Sequence, residues 1–79
     1  MDNNEKLISV FAVALNIPKE QITDDLKYQS IKAWDSISHM VLIGNIEEAF
    51  DISLDTDDVI DMSSVGKAKE ILLKYNVIF

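Results

Sequence analysis

The sequence contains no cysteine, so neither a disulfide framework nor a thiolate metal site is available to it, and a reducing compartment suits it. Its start, Met1-Asp2-Asn3-Asn4-Glu5, lacks the basic opening and cleavage site of a secretory leader. No apolar run approaches the roughly 20 residues needed for a membrane span. Internal repeats, low-complexity tracts and linkers are absent too. With Met1 in front and no linker, residues 1–79 are expected to form one freestanding domain, soluble and cytoplasmic. Lysine is missing from residues 33–66, where eight acids stand: Asp35, Glu47, Glu48, Asp51, Asp55, Asp57, Asp58 and Asp61. All seven basic residues are lysines on the two flanks, the net charge is −7 and the pI is near 4.3. Such a chain would repel nucleic-acid phosphates, which excludes that class of partner. A one-signed central segment either steers basic partners or is merely a solvated face, and clustering alone does not decide between them.

What is present suffices for a small core: 48% of the residues are hydrophobic and 27% charged, a balance that argues against disorder. Asn3 or Asn4 is expected to cap a first helix running to about Leu15. Leu7, Ile8, Phe11, Ala12, Ala14 and Leu15 form its apolar stripe, and Asn16 and Pro18 end it. Residues 19–22 suit a single turn with Ile22 inward. Residues 23–33 read as a loop, long for so compact a chain, with Leu26 and Tyr28 as anchors. Trp34 is a large aromatic suited to pinning that loop to the core.

The second helix is the most informative. Asp35 can cap it, Ser36 opens it where free amides and the macrodipole favour a negative group, and it runs to Phe50. His39, Leu42, Ile43, Ile46, Ala49 and Phe50 share one face; Ile37, Met40, Val41, Gly44, Glu47 and Glu48 share the other. So few helices cannot surround one of their number, so the second face reads as a docking strip, with burial on both sides as the alternative. A short third helix, capped by Asp55 or Thr56, carries Asp57 and Asp58 in its first turn and turns Val59 and Ile60 toward the core. Ser63 or Ser64 caps the last, with the stripe Val65, Ala68, Ile71, Leu72 and Tyr75, and with Lys67, Lys69, Glu70 and Lys74 outside. The apolar tail, residues 76–79, either folds back or pairs with something. The fold class is all-α, a small four-helix bundle of three main helices and one short one.

Enzyme chemistry finds little support. Ser36 and His39 are three apart on a helix, but no G-x-S-x-G elbow surrounds the serine and no third group orients the imidazole. A calcium loop beginning at Asp51 would put Thr56 where glycine is required and Met62 where a bidentate glutamate belongs. The doublets Glu47-Glu48 and Asp57-Asp58 diverge on a helix and make no acid/base pair. No catalytic residue and no metal ligand is assigned.

Trp34-Asp35-Ser36-Ile37-Ser38-His39-Met40, with Glu47-Glu48-Ala49-Phe50 closing the same helix, resembles the acyl and peptidyl carrier proteins, in which an Asp-Ser-Leu-like triplet opens the second helix. The resemblance covers nearly the whole chain. It implies an acyl-carrier-protein-like bundle that is not an enzyme. It also implies 4′-phosphopantetheine, from coenzyme A, attached to Ser36 with Asp35 and Trp34 beside it, and acyl or aminoacyl intermediates held on the arm as thioesters. Trp34 would then either cover the base of the arm or pin the loop. Implied partners are a phosphopantetheinyl transferase, an acyl- or adenylate-forming ligase and downstream acyl-transfer enzymes with basic patches. They would meet Ile37, Met40, Val41, Glu47, Glu48, Asp57 and Asp58, on a chain expected to be monomeric. Carriers of bulk fatty acid synthesis usually show Gly-x-Asp-Ser-Leu followed by an acid, where this chain has Ala33-Trp34 before Asp35, Ile37 for the leucine and Ser38 for the acid; Trp34-Asp35-Ser36 and His39-Met40 look more like freestanding carriers of specialised pathways. The reading from another class is a small acidic interaction module that binds a partner through the second helix without modification.

Overall fold

Each helix begins where a short polar side chain can take up the free amides of its first turn. The computed structural model describes residues 2–79; Met1, on which part of the freestanding-domain expectation rests, lies outside them. Helix α1 (Asn3–Leu15) is capped by Asp2, whose carboxylate accepts the Glu5 N–H at 2.8 Å, in place of the expected Asn3 or Asn4. It ends as expected at Asn16, which adopts the left-handed conformation (φ 55°) that asparagine tolerates better than most residues. A single 3-10 turn (Lys19–Gln21) follows and Ile22 is buried behind it.

Helix α2 (Ser36–Phe50) is capped by Asp35, α3 (Thr56–Asp61) by Asp55 and α4 (Val65–Leu73) by Ser64. Strands are absent from the described residues, and no helix among them is long and apolar enough to cross a membrane. The four helices share one hydrophobic cluster. Leu7, Phe11 and Leu15 of α1 meet Leu42, Ile43 and Ile46 of α2 and Val65, Ala68, Ile71 and Leu72 of α4, with Trp34, Met62 and Val77 filling between. The tail folds back: Val77 is buried and the Asn3 side-chain amide donates to the Ile78 carbonyl at 2.9 Å.

One expectation is corrected and one qualified. Ile60 does not face the core but lies 76% exposed; Met62, just past α3, is buried instead. A six-residue helix has room for one inward row, and here that row is Asp58 and Met62, four apart. Phe50 does pack against the core from the expected face of α2, but it is only half-buried, with the Lys6 ammonium 4.9 Å above its ring.

The long loop before α2 is held by its backbone as much as by Leu26 and Tyr28. The Tyr28 N–H donates to the Ser63 carbonyl at 2.9 Å, Val65 N–H to Leu26 at 3.0 Å and Gly66 N–H to Asp24 at 2.9 Å, so the loop lies along the start of α4. Gly66 permits this approach, since a Cβ there would stand 3.1 Å from the Asp24 carbonyl oxygen. The Lys69–Asp24 ion pair at 2.7 Å adds a side-chain tie.

Candidate functional site

The segment that delivers Ser36 is a closed set of turns. Ser30 N–H and Ser30 Oγ–H both donate to the Lys27 carbonyl, at 3.0 and 2.6 Å. Gln29, in the left-handed region at φ 64°, donates its N–H to the Trp34 carbonyl at 3.0 Å. Trp34 is fully buried, edge-on to Phe11 at 5.3 Å and to Tyr28 at 6.1 Å. Its indole N–H donates to His39 Nδ1 at 3.0 Å. Of its two readings, then, Trp34 pins the loop; it offers no exposed surface with which to cover anything.

His39 sits between the loop and α3. Its ring stacks on Trp34 at 6.1 Å, and Nε2 lies 2.9 Å from the Val59 carbonyl. Because indole can only donate and a carbonyl can only accept, the neutral Nε2–H tautomer satisfies both contacts. Val59 belongs to the last turn of α3, where carbonyls have no helical partner, so His39 also closes that helix. With both nitrogens engaged, the imidazole has no lone pair to offer Ser36 as a base.

Asp35 and Ser38 complete the start of α2. One Asp35 carboxylate oxygen accepts the Ile37 N–H at 3.0 Å and the Ser38 N–H at 2.9 Å, while Ser38 Oγ accepts the Asp35 N–H at 2.9 Å. The Ser38 hydroxyl donates to the Ala33 carbonyl at 2.6 Å. The bond from the Ser38 N–H is the main cause holding the Asp35 carboxyl below the usual carboxylate range, against a smaller opposing effect of burial. Ser36, immediately after this cap, is exposed. Of the amides expected to favour a negative group there, Asp35 has taken those of Ile37 and Ser38 with its carboxylate and that of His39 with its carbonyl, which leaves the Ser36 N–H.

Ser36 thus stands exposed at a capped helix start, with no base bonded to it and no metal-binding cluster among the described residues. The profile of the family described as "Phosphopantetheine attachment site" matches residues 5–72. An acyl carrier protein of Desulforapulum autotrophicum is 40% identical over 58 residues, covering 73% of this chain and 68% of its own length. One from Lactobacillus johnsonii is 28% identical over 67 residues, covering 85% of this chain and 84% of its own. The chain belongs to the acyl carrier protein family.

It is accordingly a carrier and not a catalyst, and its prosthetic group is 4′-phosphopantetheine. The family also implies meetings with a phosphopantetheinyl transferase and with acyl-handling enzymes. The residues present fit that group, since a phosphoester needs an accessible hydroxyl on a fixed support and Ser36 supplies one.

The residues expected on the partner face separate into two sets. Ile37, Met40 and Val41 are 76%, 61% and 49% exposed, and Glu48 and Asp57 are exposed as well. Glu47 is half-buried, and its carboxylate accepts the Leu54 N–H at 2.8 Å, tying the α2–α3 loop to α2. Asp58 is 4% exposed, with Lys74 Nζ and the Tyr75 hydroxyl each donating to it at 2.5 Å. Lys74 foremost, then Tyr75, holds the Asp58 carboxyl below its usual range, and the same carboxylate raises both partners. Asp58 is thus neutralised from within and leaves the candidate surface, for a reason that lies thirteen residues downstream of α3 in sequence and was not visible from Asp57-Asp58 alone.

Proposed function

We propose that Ser36 is the attachment site of phosphopantetheine and that residues 1–79 form a single carrier domain working in the cytoplasm. The observation that carries this reading is the exposed serine one residue past a completed cap, in a chain of this family. In the transfer, Ser36 Oγ forms a new bond to the phosphorus of the phosphopantetheinyl moiety of coenzyme A. The bond to adenosine 3′,5′-bisphosphate breaks, and the serine proton goes to a base on the transferase, because His39 is already committed to Trp34 and Val59. When bound, the group supplies a thiol on a flexible arm, to which acyl cargo is joined. The chain's own part is to hold the attachment point still and to present a surface to partners.

That surface is Ile37, Met40 and Val41 with Glu48 and Asp57. Adaptable apolar side chains beside unpaired acids suit successive partners with basic patches, among them a ligase that loads the cargo and acyl-transfer enzymes that take it on. Ala33, Ile37 and Ser38 stand where carriers of bulk fatty acid synthesis usually have glycine, leucine and an acid, and this supports acyl or aminoacyl cargo of a specialised pathway. The family match weighs against an unmodified interaction module. Incubation with coenzyme A, magnesium and a promiscuous transferase, followed by fragmentation mass spectrometry, tests the site. The group is expected on the peptide fragment ending at Ser36; its appearance on Ser30 or Ser38 instead would refute the assignment.

A further inference from the structure

We propose that the shallow depression formed by Gln29, Ile31, Lys32 and Asp35 above the buried Trp34 is the resting place of the proximal phosphopantetheine arm, with Lys32 as counter-ion to its phosphodiester. The inference rests on the attachment of that group to Ser36. Its starting point is an electrostatic deficit. A phosphodiester on Ser36 carries one negative charge, and the residue beside it is Asp35, whose carboxylate its cap hydrogen bonds keep ionised. The amides of Ile37 and Ser38 are spent on that carboxylate and the His39 N–H on the Asp35 carbonyl, which leaves the Ser36 N–H as the one amide of the first turn open to a second anion. Two anions this close repel, and because residues 33–66 hold no lysine the cation nearest in sequence lies upstream.

Lys32 is the last cation before that run, four residues from Ser36. The ion pairs among the described residues take Lys67, Lys69 and Lys74, whereas Lys32 is exposed and in none of them. It borders the same open, shallow depression as Asp35, about 490 Å³ in volume. The rim is prebuilt, since the Gln29 N–H to Trp34 carbonyl bond and the Trp34 N–H to Ile31 carbonyl bond, at 3.0 and 3.2 Å, close the loop on itself. Ile31, half-buried, offers an apolar contact for the gem-dimethyl carbon of the arm, and the exposed Gln29 amide can meet its amides. Ser30, by contrast, is spent on Lys27 and only shapes the turn.

The test compares the chain before and after loading, by 1H–15N correlation spectra and NOEs, once intact mass has shown the group on Ser36. Expected are shift changes at Gln29, Ile31 and Lys32 and an NOE from the gem-dimethyl protons to the Ile31 side chain. Lys32→Ala should weaken those changes by roughly half, as should added salt, and Lys32→Arg should restore them. Changes confined to residues 35–38 and indifferent to Lys32, or an arm seen against α3 instead, would overturn the inference and leave the carrier reading standing. A failure to gain the group at all would overturn both. The wild-type NOE needs no variant, so a poorly folded substitution cannot rescue the idea.

Discussion

On its inner side α2 sets Leu42, Ile43 and Ile46 into the core and fixes His39 between Trp34 and Val59, whereas on its outer side Ile37, Met40 and Val41 stand in solvent. The same helix therefore serves as scaffold on one side and as open surface on the other. The two acidic doublets repeat the division residue by residue. Glu47 and Asp58 hold loop and helix in place, while their neighbours Glu48 and Asp57 carry unpaired charge outward. The difference teaches that negative charge in this chain is of two kinds, and that only half of each doublet is free to meet a partner.

Substitutions on the two sides of α2 should differ most in stability. Ile46→Ala, at a fully buried position, is expected to cost about 2–5 kcal/mol in urea unfolding, a large part of what a domain this small possesses. Met40→Ala on the outer side should stay within about 0.5 kcal/mol. Equal costs would abolish the distinction. His39→Ala comes next: losing its two hydrogen bonds and leaving the Trp34 N–H unpartnered should cost roughly 1–3 kcal/mol, with loss of order in α3 seen as faster amide exchange. Unchanged exchange there would remove the idea that His39 closes α3.

The aspartate doublet gives the next contrast, through pH. Because the Asp58 carboxyl titrates below its unfolded value, its contribution is present above the ordinary carboxylate range and is lost as pH falls through the lowered folded value. Lys74 and Tyr75 are raised, so theirs is present below their ordinary values near 10 and is lost as pH rises through the raised ones. Asp58→Asn should therefore lower the melting temperature throughout the neutral range and flatten both limbs, and Asp57→Asn should do neither. Smallest in stability, but readable in kinetics, is Glu48→Lys. It should leave melting unchanged and slow association with a basic partner far more at low salt than at high salt. A slowing that is the same at both salts would take Glu48 out of the steering surface.

Much of this division is legible in the chain. The period of apolar residues places α1, α2 and α4, and the two-sided apolarity of α2 in so short a chain already points to an open strip at Ile37, Met40 and Val41. Capping chemistry marks Asp35 as the start of α2, and the resemblance to carrier proteins singles out Ser36 after it. Three things escape periodicity. At the start of α1 Asn3 or Asn4 is the expected cap and Asp2 the actual one, because which of three consecutive short polar residues caps a helix depends on where the chain turns. Helix α3 is too short to show a stripe, and its inward first position is an aspartate whose partners, Lys74 and Tyr75, are far along the chain. The backbone ties between the loop and residues 63–66 leave no side-chain pattern except Gly66, whose need for close approach appears only once Asp24 is beside it. Lys32 has no motif around it, and its importance emerges from what Asp35 has already consumed.

The most direct measurement pairs two readouts on wild type and Ser36→Ala: intact mass after incubation with coenzyme A, magnesium and a transferase, and thermal melting. An exposed serine that serves attachment alone predicts the mass of one phosphopantetheine on the wild type, none on Ser36→Ala, and the same melting temperature for both unmodified chains. A folded wild type that gains nothing, or a Ser36→Ala chain that still gains the group, would contradict it.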